Sequence, residues 1–151
     1  FQRLGEAGGV LVVDDYAHHP TEIEATVSSV RTGHPGRRLV VVFQPHLYTR
    51  TRDFAEGFGR ALAAADVVWV TDVYPARESP IAGVTGEAVA EAVGRHGGSG
   101  TDVRYHASLD GLAEAVGREL REGDLVVTMG AGSVEAVGPA LLRRLRTVAH
   151  A

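Results

Sequence analysis

Five short runs rich in β-branched apolar residues recur along the chain: Val10 to Val13, Leu39 to Phe43, Val67 to Val70, Val103 to Tyr105 and Leu125 to Val127. Each is bounded by polar residues or Gly, which is how strands buried on both faces read in a sequence. Between and after them lie stretches with helical spacing: Ile23, Val27 and Val30; Phe54, Phe58, Ala61, Leu62 and Ala65; Val89, Ala92 and Val93; Leu112, Val116 and Leu120; Val134, Val137, Leu141, Leu145 and Val148. Apolar residues three and four apart form one stripe, and such a stripe faces a sheet. Strand followed by helix, five times over, predicts a Rossmann-like three-layer αβα fold with a mostly parallel sheet of about six strands. The sixth strand is Phe1 to Leu4, turning back through Gly5, Gly8 and Gly9 to lie antiparallel at the edge beside the Val10 strand. Gly97 to Gly100 reads as a surface loop, and residues 1–151 read as one domain.

All 15 basic residues are Arg, and Cys is absent. Without Cys there is no disulfide, thiolate nucleophile or Cys-ligated zinc; without Lys there is neither a Schiff base nor the lysine of a P-loop. The formal charge of −4 offers no broad basic face, and no apolar run reaches the length of a bilayer span, so neither nucleic acid nor membrane is expected as a partner.

In open α/β sheets ligands bind beyond the carboxyl ends of the strands, and the unusual polar residues of this chain fall there. Strand one runs into Asp14 to Pro20 and strand two into Gln44 to Arg52, while Thr71 to Glu78 and Thr128 to Ser133 follow two of the others. Asp14 reads either as a turn residue that caps the helix starting near Pro20 or as a site carboxylate. Asp15 at a ligand crevice is suited to accept two hydrogen bonds from a ribose diol. His18 and His19 are adjacent and point apart, so they do not chelate one metal; one donates to a substrate anion while the other packs or caps. Arg50 and Arg52 open a helix whose dipole favours anions, and a guanidinium fork matches a carboxylate or phosphate; the alternative for each is an ion pair with Asp53 or Glu56. Gly130-Ala131-Gly132 lacks the third Gly of a dinucleotide motif and follows the wrong strand, which argues against an NAD-dependent oxidoreductase and leaves close backbone approach to a ligand or neighbouring domain.

The segments Asp14-Asp15-Tyr16-Ala17-His18-His19-Pro20-Thr21-Glu22 and Phe43-Gln44-Pro45-His46-Leu47-Tyr48-Thr49-Arg50-Thr51-Arg52-Asp53, with Tyr74-Pro75-Ala76-Arg77-Glu78 and Gly130-Ala131-Gly132, resemble the carboxy-terminal domain of the Mur ligase family. The resemblance runs from Phe1 to about Leu145. Ligases that add later residues carry Asn where His19 stands, so the double His points to the alanine-adding branch or to its relative that reattaches recycled peptides.

The resemblance implies a part of a cytoplasmic, ATP-dependent amide-bond ligase of peptidoglycan synthesis. Such an enzyme phosphorylates the lactyl carboxylate of UDP-N-acetylmuramate with ATP and Mg2+, and the amine of L-alanine attacks the acyl phosphate. Carried over by position, Asp15 engages the ATP ribose, while Tyr16, His18, His46 and Arg50 surround the incoming L-alanine, with Arg50 on its carboxylate. Leu47 stands where some members have Arg. No metal ligand and no certain catalytic residue is expected in this domain; Mg2+ and most of the ATP fall to a central domain and the UDP-sugar to an amino-terminal one. The domain alone is therefore expected to fold and to be inactive. Against this stand the peptide-recycling ligase and, from another class, a non-catalytic nucleotide-binding module.

Overall fold

The computed structural model describes residues 1–149, so the last two residues of the expected 1–151 domain lie outside the described residues. In chain order the elements are β1 (Gln2–Ala7), β2 (Val10–Asp15), α1 (Pro20–Gly33), β3 (Leu39–Phe43), α2 (Tyr48–Leu62), β4 (Val67–Val70), α3 (Gly86–Gly97), β5 (Asp102–Tyr105), α4 (Leu112–Glu119), β6 (Leu125–Met129) and α5 (Val137–Ala149). The strands form one sheet in the order β1-β2-β6-β3-β4-β5. All neighbours are parallel except β1 and β2, so the antiparallel strand lies at the edge. This is the expected mostly parallel αβα architecture. The edge strand is longer than expected and carries Gly5 within it, at a register shift between Arg3 and Gly5.

Strand side chains alternate between the two faces of a sheet. Leu11, Val13, Val41, Phe43, Val127 and Met129 pack with Ile23, Phe58 and Val89 in a core under α1, α2 and α3. Val10, Val12, Val40, Val42 and Val126 pack with Leu112, Val116, Val137 and Leu141 in a second core under α4 and α5. Each fully buried Val, Leu or Phe contributes about 1.5 to 3 kcal/mol relative to exposure, so both faces of the central strands drive folding.

The helical stripes need five corrections, the first being that Ala65 lies beyond the end of α2 at Leu62, although it is buried in the first core. Phe54 is 38% exposed and Val148 61% exposed, so neither lies in the core. Leu120 follows α4 rather than belonging to it, although it packs against the second core. Val134 sits in a separate 3-10 turn, Ser133–Ala136, before α5 begins. Gly97 ends α3 and Gly98–Gly100 form a single 3-10 turn, where a loop was expected.

The register sets up the site. Asp15 pairs across to Met129, Met129 to Phe43 and Phe43 to Val70, so the carboxyl ends of four parallel strands are level in one row. β6 lies between β2 and β3, and the chain order therefore reverses at this point of the sheet. Crevices of open α/β sheets form where the strand order reverses.

Candidate ligand site at the carboxyl ends of the strands

Three loops meet at the carboxyl ends of the strands. The β2–α1 loop supplies Tyr16 and His18, the β3–α2 loop His46, and the loop after β4 Tyr74. Their rings form a row: Tyr16 edge-on to His18 with centroids 5.2 Å apart, His18 to His46 at 5.9 Å, and His46 stacked on Tyr74 at 5.5 Å. A backbone bridge between His46 and Tyr74 fixes the last pair, with the Leu47 N–H donating to the Tyr74 carbonyl at 2.9 Å and the Tyr74 N–H to the Pro45 carbonyl at 2.8 Å.

The two adjacent histidines divide their tasks. His19 is the N-cap of α1: its Nδ1 accepts from the Thr21 N–H at 3.2 Å, and Glu22 reaches back to the His19 N–H at 3.1 Å. Its ring also lies 4.7 Å from that of Phe54, which explains why Phe54 leaves the core stripe. His18 turns the other way. Its Nδ1 lies 2.9 Å from the Tyr16 carbonyl, which only accepts, so Nδ1 carries the proton and Nε2 of the neutral ring keeps a lone pair.

Among the described residues, two buried side-chain polar atoms have no hydrogen-bond partner, His46 Nδ1 and Arg50 Nη1, and both belong to this rim. A buried donor left unsatisfied costs about 1 to 3 kcal/mol, more when charged, so such atoms occur where a ligand or water completes them. Arg50, in the first turn of α2, forms no salt bridge among the described residues; Glu56, one of its expected alternatives, pairs instead with Arg95 and His96. Arg52, by contrast, pairs with Asp53 at 3.0 Å, which decides it as a surface ion pair. Burial pushes the His46 pKa down, and the Arg50 guanidinium and His18 push it further, against a weaker opposite pull from Glu78.

A proton titration of His46 by NMR is accordingly expected to give a midpoint below 6.5, and Arg50→Ala to raise it. The sign for stability follows: the unfolded chain takes up this proton first, so the contribution is present above about 6.5 and is lost as pH falls through the folded midpoint. A wild-type midpoint at or above the ordinary value removes the cationic neighbour from the picture.

Asp14 and Asp15 point to opposite faces of β2. Asp14 accepts from the Thr128 hydroxyl of β6 at 2.6 Å, so it caps no helix. Asp15 faces α1; Oδ1 accepts from the Ala17 N–H at 2.9 Å and Oδ2 from the Thr26 hydroxyl at 2.8 Å, with 12% of the side chain exposed. Each oxygen retains one further lone pair. Asp15 thus shares the rim with the ring row, but its carboxylate is tied to α1 rather than to His18 or His46.

The Gly130-Ala131-Gly132 loop also differs from expectation. A Cβ on Gly132 would lie 2.6 Å from the Tyr74 ring and 2.9 Å from Gln44 Oε1, so the small residue makes room for the protein's own side chains. Gln44 in turn caps the following turn, accepting from the Val134 N–H at 3.0 Å.

Three contacts of the site escape a local reading of the sequence, although Tyr74 and Glu78 belong to a segment already placed at the crevice. Tyr74 stacks on His46, Thr26 holds Asp15, and Glu78 receives the Thr49 amide at 3.0 Å. All three act across loops, and no spacing rule links them. A groove of about 530 Å3 lies elsewhere, between α1 and α2 beside Thr21, Ser28 and Arg60, and contains neither of the orphaned atoms. Among the described residues no three His, Asp or Glu side chains converge as a metal-ligand set, and no helix is long and apolar enough to cross a membrane.

Comparison with known proteins identifies the family and the fold. UDP-N-acetylmuramate–L-alanine ligases of Geobacter sp. (strain M21) and Cutibacterium acnes are 51% and 54% identical over 146 and 143 residues, which is 97% and 94% of this chain. The chain spans only 31% and 30% of their lengths. Among solved structures, the UDP-N-acetylmuramate-alanine ligase of Thermotoga maritima matches with a TM-score of 0.74 at 24% identity, over 93% of this chain and 28% of that one. The murein peptide ligase of Psychrobacter arcticus matches with a TM-score of 0.74 at 22% identity, over 96% of this chain and 29% of that one. These two share the fold. The family described as Mur ligase, glutamate ligase domain, matches residues 1–132, and by that match over most of its length the chain belongs to the Mur ligase family.

Proposed function

We propose that this chain is the carboxy-terminal domain of a three-domain, ATP-dependent ligase that joins L-alanine to UDP-N-acetylmuramate in the cytoplasm. The observation that carries the reading is the pair of orphaned buried atoms, His46 Nδ1 and Arg50 Nη1, on a rim shared with Asp15. A guanidinium beside a neutral imidazole N–H offers two donors to one carboxylate, and the charge-assisted bond is the stronger of the two. The relatives at 51% and 54% identity are named for L-alanine, a small amino acid whose carboxylate fits such a pair.

In the overall reaction, a carboxylate oxygen of the sugar's lactyl group takes the γ-phosphoryl of ATP and ADP leaves. The alanine nitrogen, once deprotonated, attacks the carbonyl carbon, and the C–O bond to phosphate breaks as the amide forms. Phosphoryl transfer and Mg2+ belong to residues outside this chain, and no side chain described here is assigned a metal. Arg50 and His46 hold the amino acid by its carboxylate, which leaves the amine free. The lone pair of His18 Nε2 accepts a hydrogen bond from that amine, and Tyr16, 68% exposed beside it, covers the open side. Asp15 uses its spare lone pairs for the ribose hydroxyls of ATP. An open rim of this kind becomes a closed pocket when neighbouring domains pack over it, and closure strengthens every charge-assisted bond inside.

The reading is tested by supplying the longer protein with ATP, Mg2+, UDP-N-acetylmuramate and either L-alanine or an alanine-headed tripeptide, and identifying products by mass. Formation of the alanyl product supports it; a product with the tripeptide alone assigns the recycling reaction, and no product with either overturns the ligase.

The ribose assignment has its own control. Asp15→Ala is expected to raise the KM for ATP about tenfold or more while the alanine KM stays within about twofold, as for loss of a hydrogen bond to a charged group. Thr26→Ala removes only the side chain that holds Oδ2 and should change the ATP KM far less. Equal effects of the two substitutions assign Asp15 to anchoring α1 instead.

A further inference from the structure

α2 starts without a cap of its own. Leu47, at the N-cap position, makes no side-chain hydrogen bond, and the first turn contains no acidic residue. Leu47 also holds φ at 71°, a conformation that costs a non-Gly residue about 1 to 3 kcal/mol and persists only when its surroundings enforce it. The exposed amides and the positive pole of such a helix start call for an acceptor.

That acceptor comes from 29 residues downstream. Glu78 receives the Thr49 N–H on Oε1 at 3.0 Å and the Thr49 hydroxyl on Oε2 at 2.5 Å. The Thr49 hydroxyl, the backbone amides of Thr49 and Tyr48, and the nearby Arg50 charge hold the Glu78 carboxyl below the usual range, so it is ionised at neutral pH. Glu78 is itself placed by a tight turn, its N–H donating to the Pro75 carbonyl at 2.9 Å, directly after the Tyr74 bridge to His46 and Leu47. Glu78 occupies the helix pole but makes no salt bridge with Arg50, whose Nη1 keeps an unpartnered N–H.

We infer that Glu78 is a positioning residue: it staples the first turn of α2 to the loop after β4, and so holds Arg50 in register with His46 for the substrate carboxylate. The positioning role rests on the ligase reading; the staple does not.

The test uses Glu78→Ala and Glu78→Gln. In this chain, hydrogen exchange at the Thr49 amide is expected to accelerate about tenfold or more in Glu78→Ala, as when a cap is lost, and to stay within about threefold in Glu78→Gln, which keeps an acceptor. In the longer protein, Glu78→Ala is expected to raise the alanine KM about tenfold with kcat and the ATP KM within about twofold, and Glu78→Gln to recover most of it. Unchanged Thr49 exchange in Glu78→Ala overturns the staple. Faster exchange with an unaltered alanine KM overturns the positioning role. A wild-type protein that leaves L-alanine unreacted overturns the ligase reading and the positioning role together, while Thr49 exchange still decides the staple.

Discussion

Arg50→Ala, made in the longer protein that carries this domain, is expected to raise the KM for L-alanine about 10- to 150-fold and to leave the KM for ATP unchanged to within about twofold. The size follows from a charge-assisted hydrogen bond of about 1.5 to 3 kcal/mol, at 1.4 kcal/mol per decade. Stability should move the other way or not at all. Arg50 has no carboxylate partner to lose among the described residues, and its Nη1 is a buried donor without an acceptor. Truncation therefore removes an uncompensated group, so the ligand-free domain should melt at the same temperature or slightly higher, as functional sites often allow. Arg50→Lys is expected to recover little, because an ammonium cannot reproduce the planar fork. A variant that binds alanine normally removes Arg50 from the site, and one that loses alanine and unfolds together makes it a structural residue.

The legible part of this molecule is the part that local pattern controls. Leu39–Phe43 and Val67–Val70 have the bounds expected, because strands covered on both faces are solid apolar runs that stop where polar residues begin. Asp14 and Asp15 show a signal present but easily passed over. Period-two alternation in β2 sends neighbours to opposite faces, so Asp14 meets Thr128 while Asp15 meets Thr26. Phe54 shows where helical spacing fails: an apolar residue in phase with the stripe still lies outside the core when it sits on the first two turns of a helix, beside His19, and only tertiary contact decides that. The capping of α2 by Glu78 was out of reach for the same reason. Caps are sought within a few residues of a helix start, and this one arrives across 29. Arg50 was legible only as a candidate anion ligand with an ion pair to Asp53 or Glu56 as the alternative, and it is geometry that turns those two acids to Arg52 and to Arg95 and His96.

The loop after β4 also depends on a close approach at its far end, and Gly86→Ala is expected to break it. A Cβ on Gly86 would lie 1.9 Å from the Thr71 carbonyl oxygen, 2.7 Å from its carbon and 2.9 Å from the Asp72 Cα. These are backbone atoms at the end of β4, so no rotamer change relieves them, and α3 must shift away from the sheet. Overpacking of this kind typically costs about 1 to 3 kcal/mol and sometimes more. The better helix propensity of Ala returns at most about 1 kcal/mol. The same shift pulls the Gly86 N–H from Asp72 Oδ1, now 3.1 Å away. With that hydrogen bond to a carboxylate, worth about 1.5 to 3 kcal/mol, also lost, the net is about 3 kcal/mol, which lowers the melting temperature of a domain this size by roughly 6 to 12 °C. Gly94, in the same helix, has nothing within 4 Å of its Cβ position. Gly94→Ala should therefore stabilise by about 0.5 to 1 kcal/mol, since only propensity acts there. Opposite signs within one helix separate close approach from conformational freedom. Between β4 and Gly86 runs the segment that carries Tyr74 and Glu78, so displacement of α3 loosens both ends of the contact with His46 and Thr49. Gly86→Ala should accordingly speed exchange at the Thr49 amide as well as lower the melting temperature, whereas equal melting of the two glycine variants would mean that α3 adjusts freely and leaves the site's geometry to its loops.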